Sequence, residues 1–156
     1  MALPPALTAA LDRLAHGRAR STIAARAAAI SNAYRSGGGS TVIRDMDDAL
    51  AYAFARMPAT FAAVSACLQQ VMARDPERRP LRLLDIGAGP GTATFAAAET
   101  FASLAEFTLI DANPSLRSLA LALAQDAPAL AGLHYRAGDA SQALADAPAA
   151  DLVIAS

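Results

Sequence analysis

The stretch LLDIGAGPGTA at residues 83–93 constrains the fold of this chain more than any other. An apolar run of Leu81, Leu83, Leu84 and Ile86 leads into Gly87-Ala88-Gly89-Pro90-Gly91, and an alanine-rich helical stretch follows. Strand, glycine turn and helix, in that order, open a nucleotide-binding α/β unit. The glycines let the backbone pass close to a ligand where a Cβ would collide. A dinucleotide fingerprint, G-x-G-x-x-G, needs its third glycine at position 92, where Thr92 stands. The spacing is instead D-x-G-x-G-x-G, beginning at Asp85. A nicotinamide-dependent oxidoreductase is therefore the weaker reading.

From Leu81 onward, short apolar strands alternate with helical stretches, the rhythm of a parallel α/β sheet. Strands are expected at 81–86, 107–110, 133–136 and 152–155. Helices are expected at 91–101 and 114–125, with a weak one around 141–144. Residues 1–80 read differently, as helix after helix at about 5–15, 22–35, 44–56 and 59–73. Ser21 is a candidate N-cap, and SGGGS (36–40) is expected to be a flexible linker. Pro58 lacks a backbone donor and is expected to break one helix and start the next. The proline-bounded DPERRP (75–80) suits a boundary, giving a helical region at 1–78 and a nucleotide-binding domain at 79–156.

Composition narrows the class. The apolar content of 54% fits a folded domain, although much of it is alanine. No uninterrupted apolar run approaches the roughly 18–20 residues of a bilayer span, so no membrane partner is expected. The lone cysteine, Cys67, excludes an internal disulfide and is expected in the core. Neither His16 nor His134 has a partner at metal-ligand spacing, and no metal site is expected. The chain has no lysine; ten arginines face six acids in residues 1–80, and three face eight thereafter. That asymmetry is either a solvated surface or an arginine-bearing module that meets phosphate.

Three acids follow strand ends in order: Asp85, Asp111 and Asp139. Asp111 lies twenty residues beyond Gly91, where a carboxylate can accept hydrogen bonds from ribose hydroxyls. Asp139, in AGDAS, is placed to meet an adenine amino group. The D-x-G-x-G-x-G form resembles the first motif of the S-adenosyl-L-methionine-dependent methyltransferases. Their sheets have more strands than the four visible here. A chain stopping on the apolar strand DLVIAS therefore reads as a fragment, the first half of a Rossmann-like sheet behind a helical leader.

A narrower resemblance rests on AAISNAYRSGGGS (28–40), DDALAYAFARMPATFAAV (47–64), LIDANPSLRSLA and ADLVIAS. In these segments the chain resembles the methyltransferase-like proteins associated with the mitochondrial small ribosomal subunit and their bacterial relatives. The resemblance implies small-subunit ribosomal RNA, or the small subunit itself, as partner. It implies either a methyltransferase or a non-catalytic assembly factor, cytoplasmic in a bacterium and mitochondrial in a eukaryote. It carries S-adenosyl-L-methionine contacts to Asp85, Gly87, Ala88, Gly89, Gly91, Asp111 and Asp139. Family cysteines linked to an iron–sulfur cluster belong to a C-terminal half and have no counterpart here. Catalytic residues stay unassigned, because the segment after the fourth strand is not in view.

Overall fold

The structure, a computed structural model, describes residues 1–139 and 146–155; the helix expected near 141–144 lies outside them. Three helices come first: α1 (Pro5–Leu14), α2 (Arg20–Arg35) and α3 (Met46–Arg74). Then follow β1 (Arg82–Ile86), α4 (Thr92–Thr100), β2 (Glu106–Asp111), α5 (Pro114–Ala124), β3 (Leu133–Ala137) and β4 (Leu152–Ala155). The strands form one parallel sheet in the order β3-β2-β1-β4. Leu84 sits in register with Thr108 on one side and Val153 on the other. The chain steps outward from β1 through β2 to β3 and then returns to the far side of β1. That reversal makes β1/β4 the switch point of the sheet, and ligands of open α/β folds bind outside the carboxyl ends of strands there.

The first four expected helices are three. α3 runs 29 residues straight through Pro58. Pro58 cannot donate to the carbonyl four residues back, yet the apolar stripe continues past it. Leu50, Ala53, Met57, Phe61 and Leu68 are all buried at helical spacing on both sides of the proline. Tertiary burial outweighs the lost bond. Asp45 starts the helix, accepting from the Asp48 N–H at 2.8 Å. By length and composition α3 is also long and apolar enough to cross a membrane; its apolar sequence is interrupted by polar residues such as Thr60, Ser65 and Gln69, so no unbroken apolar run marks it. In the fold, its buried stripe is covered by α2, α4 and α5.

Other expectations are corrected. α2 begins at Arg20 after Ala19, so Ser21 lies inside the helix and caps nothing. Cys67 is exposed on α3, because the buried stripe passes through Ser65 and Leu68 instead. α4 is buried almost all round over Thr92–Ala97, since it packs on both β1 and α3. That explains why its sequence is small and apolar without amphipathic rhythm. The leader helices and the sheet share one hydrophobic cluster, reaching from Leu7 and Leu50 to Leu109 and Leu119.

β4 pairs only with β1 among the described residues. Its burial alternates, with Leu152 and Ile154 half-buried and Val153 56% exposed. Asp151 fastens its start by accepting from the Leu81 and Arg82 N–H groups, both at 3.0 Å. The Arg82 guanidinium beside it, with those N–H bonds, holds the Asp151 carboxyl below its ordinary pKa.

Candidate functional site

The site is built around the backbone of Gly89. Gly87, Gly89 and Gly91 all have positive φ (72°, 53° and 80°), which side chains disfavour. The N–H groups of Gly87 and Ala88 donate to the Ile110 carbonyl at 2.9 and 3.1 Å, tying the turn to the end of β2. The Gly89 N–H donates to Asp111 Oδ2 at 2.9 Å. Its carbonyl accepts from the Tyr135 hydroxyl at 2.8 Å. The two peptide groups that meet at Gly89 are thus held by side chains from β2 and β3. Burial pushes the Tyr135 phenol well above its ordinary pKa, so it stays a donor.

Asp111 is half-buried, and its Oδ1 accepts from the Asn113 N–H at 2.7 Å. Asn113 is buried and fully used. Its Oδ1 caps α5 by accepting from Ser115 and Leu116 N–H groups at 3.0 and 2.9 Å. Its Nδ2 donates to the carbonyls of Ser40 (2.7 Å) and Ile43 (2.9 Å) in the leader. The expected flexible linker is therefore pinned at its far end, where Ser40 lies against the sheet.

Asp85 takes a different place from the crevice wall that strand order suggests. It is fully buried, and Thr94 Oγ1 donates to its Oδ2 at 2.7 Å. Its Oδ1 has no hydrogen-bond partner among the described residues. Burial, against the opposing bonds from Thr94, raises its pKa to about 6. Asp85 thus lies beneath the turn and links β1 to the first turn of α4. Gly91, the residue preceding α4, packs at the same depth, where a Cβ would come within 3.4 Å of Leu109.

Two small cavities flank the turn. One, of ≈ 180 Å³, is lined by Ser40, Gly87, Asp111, Gly138 and Asp139. The other, of ≈ 190 Å³, is lined by Gly87, Ala88, Gly89 and Thr92 and, from α3, by Tyr52, Arg56 and Thr60. Of the seven candidate residues, Asp111, Asp139 and Gly87 meet in the first, and Gly87, Ala88 and Gly89 in the second. Asp85 and Gly91 line neither. A larger cavity of ≈ 790 Å³ lies among the leader helices beside His16, Arg18 and Arg20 and shares no residue with the turn.

The leader arginines are less available than their number suggests. Arg18 bonds to Asp47, while Arg26 bonds to Asp45 and, at 2.6 Å, to Asp48. Asp48 is 2% exposed. Burial pushes its pKa up, but the bonds from Arg26 and Arg44 outweigh that and leave it lowered. Arg35 bonds to Asn32. Tyr135 and Asn113 were not singled out from sequence. Asn113-Pro114 had the form of a cap before a helix start, whereas nothing local marked Tyr135.

A glycine turn at the switch point of a parallel sheet, with an acid closing the second strand, is the arrangement of Rossmann-like folds, among them the S-adenosylmethionine-dependent methyltransferases. Solved structures agree at the level of fold. An O-methyltransferase family protein from Burkholderia thailandensis superposes with a TM-score of 0.55 at 19% identity, over 70% of this chain and 32% of that one. The S-adenosylhomocysteine-bound methyltransferase PaMTH1 of Podospora anserina gives 0.54 at 15% identity, over 99% and 51%. Residues 46–156 match the family described as mitochondrial small ribosomal subunit Rsm22, and the chain belongs to that family. It is 38% identical over 72 residues to the human ribosome assembly protein METTL17, mitochondrial. That match takes in 46% of this chain and 16% of the human protein.

Proposed function

We propose that this chain holds the cofactor site of an S-adenosylmethionine-dependent methyltransferase-like protein that acts on small-subunit ribosomal RNA. The observation that carries the reading is the glycine turn after β1, whose Gly89 N–H and C=O are held by Asp111 and Tyr135. The donor set suits the cofactor. Each Asp111 oxygen accepts one backbone N–H and can accept a second bond, which leaves capacity for a ribose diol. Asp139 lines the same cavity and suits the adenine end, while Gly87, Ala88 and Gly89 border the remainder of the ligand. S-adenosylmethionine, when bound, supplies a methyl group already activated on its sulfonium, so the protein's part is alignment. Family membership and the human relative's name support the ribosomal small subunit as partner, in the bacterial cytoplasm or, in a eukaryote, the mitochondrion. The same relative, named for assembly, favours a second reading in which the fold serves assembly without methyl transfer.

Calorimetric titration of the complete gene product tests the cofactor. S-adenosylhomocysteine should bind and NAD should not. Asp111→Ala should weaken S-adenosylhomocysteine about ten- to a hundredfold, the worth of one to two charge-assisted bonds. Preference for NAD, or an unchanged Asp111→Ala, would overturn the assignment. Labelled methyl transfer to small-subunit RNA separates enzyme from assembly factor.

A further inference from the structure

The segment Arg56-Met57-Pro58-Ala59-Thr60 sits in the middle of α3, and the function above gives it no task. Its geometry does. Arg56 and Thr60 are one helical turn apart and line the same cavity as Gly87, Gly89 and Thr92. Met57, between them in sequence, is buried in the core and fixes which way this face of the helix turns. Among the described residues Arg56 is the only charged one lining that cavity, whereas the cavity on the other side of the turn carries Asp111 and Asp139. The crevice is therefore polarised, with carboxylates at one end and a guanidinium at the other.

Arg56 differs from the leader arginines that serve the start of α3, though not from its neighbour Arg35, which lines a further cavity with it and has no carboxylate partner among the described residues. Arg18, Arg26 and Arg44 each pair with a carboxylate of the acidic start of α3. Arg56 is exposed and forms no ion pair or hydrogen bond to any described residue. No side-chain bond from it braces the leader against the sheet among the described residues. A guanidinium with five donors, on a cavity whose described lining holds no acid, is suited to a planar anion.

We infer that Arg56, with Thr60 beside it, binds the α-carboxylate of the amino-acid end of an S-adenosyl ligand, so that the helical leader completes the cofactor site. The inference rests on the cofactor reading above and deepens it. A ligand whose ribose lies on Asp111 reaches across the Gly87–Gly89 backbone into this second cavity. Its carboxylate then meets the guanidinium and Thr60, and the Tyr52 hydroxyl remains to accept from the ammonium group. Discrimination follows: a nucleoside lacking the amino acid gains nothing from Arg56.

The test compares two ligands by calorimetry on the complete gene product. S-adenosylhomocysteine carries the carboxylate, and 5′-methylthioadenosine lacks the amino-acid end. Arg56→Gln should weaken S-adenosylhomocysteine about tenfold and leave 5′-methylthioadenosine within about twofold, while Arg56→Lys recovers part of the loss. Thermal melting of the variant should match the parent, because the side chain is exposed. Equal weakening of both ligands, or of neither, overturns the inference and leaves the cofactor reading standing. Failure of the parent protein to bind either ligand overturns both. Loss of RNA binding by Arg56→Gln with unchanged S-adenosylhomocysteine affinity would assign the residue to RNA and overturn the inference as well.

Discussion

Asp85 shows how an acid read as a ligand contact can serve the turn from below. Its side chain is fully buried, with one oxygen on Thr94 and the other without a partner among the described residues, and its pKa rises to about 6. An unfolded aspartate ionises near pH 3.9. Between those values the folded protein holds a proton that the unfolded chain has released. Stability from this residue is therefore greatest below pH 4, declines as pH rises to 6, and is flat above it. Two pK units correspond to a difference of up to about 3 kcal/mol. Asp85→Asn should remove that decline, so urea unfolding at pH 4, 5, 6 and 7 should show a flatter profile than the parent. A parallel profile would mean that the carboxyl is ionised in the fold.

At the scale of elements, the glycine turn and the strands around it were legible because their signals are local. Apolar runs end in residues that tolerate positive φ, and nothing distant is needed to recognise them. Pro58 misled for the same reason. A proline is a strong local stop, but Met57 and Phe61 are buried on either side of it, and that contact lies outside the window. Cys67 failed in parallel: its apolar neighbours suggested the core, and helical phase put it outside. The helix still carries the cost of its missing bond. Pro58→Ala restores the donor and should raise the denaturation free energy by about 1–3 kcal/mol, short of the full helix-interior difference because proline also restricts the unfolded chain. A lower urea midpoint would show instead that α3 needs the proline's geometry to pack.

Across the whole molecule, the division at residues 75–80 reflects composition more than mechanics. The leader and the sheet share a core, and α3 lies on both α4 and α5. Tyr135 and Asn113 were out of reach because their partners stand 46 and at least 70 residues away along the chain. Asn113 has the wider consequence. Its N–H holds Asp111, and its side-chain amide holds the carbonyls of Ser40 and Ile43. A ligand that settles on Asp111 should therefore quieten a stretch of leader that it never touches. Hydrogen exchange in the complete gene product should slow at residues 40–43 when S-adenosylhomocysteine is added, and Asn113→Ala should abolish that slowing. Linkage then works in both directions, since coupling between two sites has a single free energy. Whatever macromolecule grips the leader in the state that Asn113 favours must tighten the nucleoside by the same factor. One buried amide would let occupancy of the crevice be sensed at the molecule's outer surface.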